Sequence, residues 1–150
     1  MNLIKLTIDG KEVEVSSGTT VLNAAEQVGI HIPRFCYDKD MSSCGACRIC
    51  VVEIEGMRNP VASCVTEVTP GMVVKTETPA VVEARKTVLE LLIADHPLDC
   101  MTCEKLGDCS LAKYCYRYGV KSSPFEGARH SYPLDDSNPF IVRDMNKCIL

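Results

Sequence analysis

Apolar and polar positions alternate over Leu3–Ile8 and again over Lys11–Val15, the period-two pattern of strands. Asp9-Gly10 between them is a hairpin dipeptide, because both residues accept the left-handed backbone that a two-residue turn needs. The period then changes to a helical one. Leu22, Ala25 and Val28 follow Thr19 or Thr20 as cap, and Gly29 stands where the chain must leave the helix. Beyond a cysteine-rich loop, residues 49–55 read as a strand and 72–76 as a closing one, with Pro70-Gly71 at the turn between. Residues 1–78 are therefore expected to form an open mixed sheet crossed by one helix.

Thr78-Pro79 opens a longer helix, with cap and first-turn proline in order. Its expected buried face is Val81, Ala84, Val88 and Leu92, and it runs towards His96-Pro97. Residues 100–120 read as short helical or loop pieces. Residues 121–147, rich in Ser, Pro, Asp and Asn, show no period and read as a connecting strap. No repeat is visible at solenoid periods. The expected class is α+β: a sheet domain over 1–78, a small helical and loop domain over 79–120, and an irregular strap over 121–150.

Composition adds one decisive fact. Ten of the 150 residues are cysteine, too many for an ordinary core, so they must be disulfides, metal ligands or reactive thiols. The first ten residues alternate rather than form an apolar core, which is a strand and not a signal peptide. No apolar run approaches the roughly 18 residues of a membrane span. Reducing cytoplasm is the expected compartment, and there closely spaced cysteines are metal ligands more often than bridges. A net charge of −4, with five tyrosines and three phenylalanines, gives no basic stripe with interleaved aromatics for nucleic acid.

Two ligand sets stand out. Cys36, Cys47, Cys50 and Cys64 are separated by ten, two and thirteen residues. Four thiolates complete a 2Fe-2S cluster, two on each iron, and the two-residue gap lets one tight loop reach both sides of the rhomb. Cys44 offers a rival, since Cys44-x2-Cys47-x2-Cys50 is a trio in which it displaces Cys36. Gly45 and Ala46 are small enough to let backbone N–H groups approach the sulfurs. Arg48 either raises the local potential, pairs with Asp38 or Asp40, or is simply exposed. His96, Cys100, Cys103 and Cys109, separated by three, two and five residues, form the second set, suited to the four corners of a 4Fe-4S cluster. A neutral imidazole in place of one thiolate makes that cluster less negative, and Asp95 or Asp99 is near enough in sequence to hold its other nitrogen.

The stretches Gly18-Thr-Thr-Val-Leu22, Ile30-His-Ile-Pro-Arg-Phe-Cys-Tyr37 and Gly45-Ala-Cys-Arg-Ile-Cys-Val-Val-Glu53 resemble the ferredoxin-like domain that opens the large subunit of respiratory NADH dehydrogenase, iron-only hydrogenases and NAD-dependent formate dehydrogenases. The string His96-Pro-Leu-Asp-Cys-Met-Thr-Cys-Glu-Lys-Leu-Gly-Asp-Cys109 resembles the histidine-plus-three-cysteine 4Fe-4S segment that follows it there. The resemblance implies a β-grasp fold for the first domain, picks Cys36 over Cys44, and leaves Cys44 a spare thiol. It also implies a flavin/NAD-binding iron-sulfur subunit or a soluble ferredoxin as partner. Asn138-Pro-Phe-Ile-Val-Arg-Asp144 before Asn146-Lys-Cys-Ile-Leu150 resembles the formate dehydrogenase alpha subunit most.

Cys148 resembles the first cysteine of a bacterial ferredoxin run, Cys-x2-Cys-x2-Cys-x3-Cys-Pro. On that likeness the chain is expected to be the amino-terminal part of a longer one, whose remainder holds further 4Fe-4S clusters and a catalytic cofactor. Cys115 fits neither set and reads as a buried small apolar side chain. No dinucleotide fingerprint, Ser/His/Asp arrangement or general-acid carboxylate pair appears in the sequence. The expected function is a relay of single electrons between a flavin/NAD subunit and a catalytic domain, with a zinc-stabilised interaction module and a thiol redox sensor as rivals.

Overall fold

Strands β1 (Leu3–Ile8) and β2 (Lys11–Ser16) pair antiparallel, from Leu3 against Ser16 to Ile8 against Lys11. Asp9 and Gly10 both take positive φ, 47° and 80°, which matches the turn to the twist of its strands. Asp9 also reaches out of the hairpin. Its carboxylate accepts hydrogen bonds from the Thr76 amide at 2.8 Å and the Thr76 hydroxyl at 2.6 Å.

That tie orders the sheet. The computed structural model describes residues 3–149 and divides the chain into two compact units, Met1–Arg85 and Lys86–Leu150. In the first unit β3 (Val51–Ile54), β4 (Val61–Ala62) and β5 (Val73–Lys75) complete a five-stranded sheet in the order β2-β1-β5-β3-β4. Strand β5 runs parallel to β1, and the other neighbours are antiparallel. The mixed sheet and its helices give the α+β class expected. Strand β4 is only two residues long, below the length at which alternation can be read.

Helix α1 (Val21–Gln27) starts at Thr20, whose hydroxyl accepts from the Asn23 amide. It ends at Gly29 with φ 72°, where the amides of Gly29 and Ile30 return to the carbonyls of Glu26 and Ala25. The first-turn amides of a helix lack partners within it. Here the Leu22 amide donates to the Ser63 carbonyl and the Val21 amide to that of Thr66, so the helix start is docked on the segment around Cys64. One apolar core gathers Ile4, Leu6 and Ile8 with Val13 and Val15 of the hairpin, Leu22 and Ala25 of α1, and Val52 and Val74 of the sheet. Cys50 and Cys64 belong to the same core.

Thr78 caps helix α2 (Pro79–Asp95), its hydroxyl and carbonyl accepting from Val81 and Val82. The buried stripe is not the one expected. Val81, Arg85, Leu89 and Ile93 are buried, whereas Ala84, Val88 and Leu92 are half-buried. The stripe recurs every four residues, and the apolar reading misses it because its second member is an arginine.

In the second unit, α3 (Ser110–Tyr118) ends at Gly119 with φ 70°. Residues 121–147 are less irregular than expected. Short strands β6 (Asp135–Asn138) and β7 (Ile141–Arg143) pair antiparallel, followed by a 3-10 turn at Met145–Lys147. All residues of both strands are exposed, so no inside-outside alternation marks them. Among the described residues, no helix is long and apolar enough to cross a membrane.

The Asp9–Thr76 tie predicts a measurable coupling. Asp9→Ala is expected to lower stability by about 1–2 kcal/mol in urea unfolding, and adding Thr76→Val should cost less than the two separate losses summed. Full additivity would show that the pair carries no energy.

Candidate metal centres

The first cysteine set is assembled by three arms of the first unit. Cys36 sits on the loop after α1 and is tied to that helix from both sides: Arg34 pairs with Glu26, and the Tyr37 hydroxyl donates to Asn23 Oδ1. Cys47 and Cys50 lie on the turn that leads into β3, and Cys64 follows β4. The Sγ atoms of Cys36 and Cys47 lie 3.4 Å apart. Cys50 and Cys64 are each only 1% exposed, and Cys50 is the sulfur that acts most strongly on the Cys64 thiol. All ten cysteines are thiols rather than disulfides. Burial, followed by the neighbouring Cys50, Cys36 and Cys47 sulfurs, pushes the Cys64 thiol up to about 12.

A thiolate there is therefore costly unless a cation shares its charge. The donor set fits a 2Fe-2S group in that respect: four sulfurs are near enough to act on one another, with no counter-charge of their own. Gly45 permits the approach of the arms. Its φ is 65°, and a Cβ there would meet both Val65 methyls at 3.3 Å, so the loop lies directly on the residue next to Cys64.

The backbone around Cys50 is gripped on both sides. The Ser63 hydroxyl and amide both donate to the Cys50 carbonyl, at 2.7 and 3.2 Å. Arg85 Nε donates to the Ile49 carbonyl at 3.1 Å and Nη2 to the Val51 carbonyl at 2.8 Å. Nη1 of the same guanidinium donates to Glu77 Oε1 at 2.9 Å. Sequence reasoning missed Ser63 and Arg85. A charged residue interrupting a stripe of apolar residues four apart was the available signal.

In the second unit, His96 and Cys109 line two adjoining cavities of about 680 and 470 Å³; Cys103 stands on the first and Cys100 on the second. Burial lowers the His96 pKa, with Lys147 reinforcing the shift and Asp99 and Asp144 opposing it, so the imidazole is neutral near pH 7. Its Nδ1 is buried and has no hydrogen-bond partner among the described residues. An orphaned buried nitrogen on a residue that shares its cavities with Cys100, Cys103 and Cys109 fits a metal-bound group; no three of these side chains converge closely enough to hold a single ion among the described residues. Cys109 caps α3, its sulfur accepting from the Ala112 amide at 3.5 Å, and a helix start favours a thiolate.

Several expected details come out differently. Asp95 is occupied by His130, accepting from its amide at 2.8 Å and pairing with its Nδ1 at 2.7 Å, and Asp99 pairs with Lys147. Neither carboxylate is placed to orient His96 by a direct bond. Cys115 is half-buried rather than buried and faces the second cavity. Burial, then Cys109 and Cys100, raises its pKa. Cys44 and Cys148 are exposed. Arg48 is exposed at φ 57° and makes no ion pair with Asp38 or Asp40 among the described residues.

Comparison with known proteins covers both stretches that carry the cysteine sets. Residues 2–79 match the family described as a 2Fe-2S iron-sulfur cluster binding domain, and residues 85–124 the NADH-ubiquinone oxidoreductase-G iron-sulfur binding region. The chain is 45% identical to the NADP-reducing hydrogenase subunit HndD of Solidesulfovibrio fructosivorans, over all of this chain and 26% of the relative. It is 43% identical to the mitochondrial NADH-ubiquinone oxidoreductase 78 kDa subunit of Neurospora crassa, over 97% of this chain and 20% of the relative. It thus spans about a quarter or less of these relatives' length. A crystal structure of an NAD+-reducing NiFe-hydrogenase in the H2-reduced state superimposes with a TM-score of 0.90 at 36% identity, covering 98% of this chain and 62% of that one. The chain belongs to the 2Fe-2S iron-sulfur cluster binding domain family and is an iron-sulfur electron-transfer module of the NADH dehydrogenase and hydrogenase kind, with the 4Fe-4S binding region directly after the first domain.

Proposed function

We propose that Cys36 and Cys47 hold one iron of the 2Fe-2S group and Cys50 and Cys64 the other, while His96, Cys100, Cys103 and Cys109 hold the 4Fe-4S group. The observation that carries the first assignment is the approach of Cys36 Sγ to Cys47 Sγ at 3.4 Å, with Cys50 and Cys64 buried together in the core beside them. A rhombic cluster takes two protein ligands per iron. A structural zinc takes four ligands around one centre, at ~2.3 Å for sulfur.

When bound, the two groups accept and release single electrons at potentials set by cluster type, charge and hydrogen bonding. The chain's own residues exclude water and fix the ligands: the apolar core surrounds Cys50 and Cys64, and Arg34 and Tyr37 anchor Cys36 to α1. His96 supplies a neutral donor, and the Ala112 amide donates to the Cys109 sulfur.

In this reading the module relays electrons between a flavin/NAD-binding subunit or ferredoxin and a catalytic domain. Names of the relatives support a hydrogenase or NADH-ubiquinone oxidoreductase setting. The formate dehydrogenase alpha subunit, the parent the sequence favoured on residues 138–150, gains no support from those names, which favour the two alternatives.

Anaerobically purified protein is expected to be brown and to hold about six irons per chain, two plus four. Cys36→Ser should abolish the 2Fe-2S spectrum and Cys44→Ser should leave it. The reverse result would transfer the ligand role to Cys44.

His96→Cys adds a negative charge to the second ligand set and should keep a cubane at a lower potential, read by redox titration followed by electron paramagnetic resonance. An unchanged potential in that variant would remove His96 from the ligand set.

A further inference from the structure

Arg85 has no role in the ligand sets, yet it is among the largest fully buried side chains of the protein. Burying a guanidinium is costly unless each of its faces finds an acceptor. Here the acceptors are not scattered. Two of them are the carbonyls of Ile49 and Val51, the residues on either side of Cys50. The planar fork of an arginine spans two such oxygens at once, which a lysine ammonium on its flexible stem does not.

The same contacts have an electrostatic consequence. Three successive carbonyls, of Ile49, Cys50 and Val51, belong to the ligand-bearing turn, and each accepts a hydrogen bond. Arg85 neutralises two of them and Ser63 the third. The fixed positive charge then lies behind the Cys50 backbone, partly balanced by Glu77, whose side chain is 40% exposed. Adding an electron to a cluster adds negative charge, so a buried cation beside it favours the reduced form.

We propose that Arg85 is a positioning residue for the 2Fe-2S centre: it locks the Cys50 turn through the two flanking carbonyls and raises the centre's reduction potential, with Glu77 as the partial counterweight. The inference rests on Cys50 being a ligand.

The test is an anaerobic redox titration of the chain reconstituted with iron and sulfide, followed by electron paramagnetic resonance of the 2Fe-2S signal. Arg85→Met is expected to shift the midpoint to more negative potential. Glu77→Gln is expected to shift it the other way and by less, because that carboxylate is partly solvated. Arg85→Lys keeps the charge but not the fork, so its midpoint should stay near the parent value while an iron chelator strips the cluster faster. A merely structural arginine predicts no shift in Glu77→Gln, and that result, in a variant that retains its cluster, overturns the proposal even if Arg85→Met fails to fold. A 2Fe-2S signal that survives Cys50→Ser sinks the ligand reading instead, independently of where the Arg85 and Glu77 midpoints fall.

Discussion

Cys50 and Cys64 are part of the hydrophobic core, and the rest of the first unit follows from that constraint. A thiol in such a place is an ordinary small apolar side chain; at Cys64 a thiolate is not, because burial and three neighbouring sulfurs all disfavour its charge. The unit is thus built around a group of donors that becomes electrostatically tolerable when positive charge is shared among them. On the proposed ligand assignment, folding and metal binding are linked, since the cluster joins α1, the β3 turn and the segment after β4.

The architecture serves that junction by placing backbone hydrogen bonds where the donors enter. The opening amides of α1 dock on Ser63 and Thr66, Ser63 holds the Cys50 carbonyl, and the Asp9 carboxylate brings the first hairpin to the end of β5. Each tie spans elements far apart in sequence. The second unit is built differently: Cys109 caps a helix start, and a neutral, half-buried imidazole shares its cavities with three cysteines. Its larger cavity is also bordered by Lys147, which Asp99 holds and whose pKa Asp99 raises.

Local chemistry was legible in the sequence, and long-range chemistry was not. Asp9-Gly10, Thr20, Gly29 and Thr78 each act within a few residues, so their residue types alone announced a turn, two caps and a stop. Spacing likewise announced the cysteine sets. Arg85 was missed because its partners, Ile49 and Val51, lie more than thirty positions away, and a charge interrupting an apolar stripe reads first as a solvated face. Strands β6 and β7 were hidden for the opposite reason: with every residue exposed, burial leaves no pattern to detect. The expected partners for His96 failed because Asp95 and Asp99 were judged by sequence distance, while His130 and Lys147 reach them through the fold.

Iron K-edge X-ray absorption on anaerobically purified protein tests the central claim most directly, because it sees the metal and its neighbours without reference to activity. The account predicts sulfur-dominated coordination with a distinct iron–iron scattering shell, the signature of sulfide-bridged metal. A sample whose metal is zinc, with sulfur and nitrogen neighbours and no metal–metal shell, would contradict it.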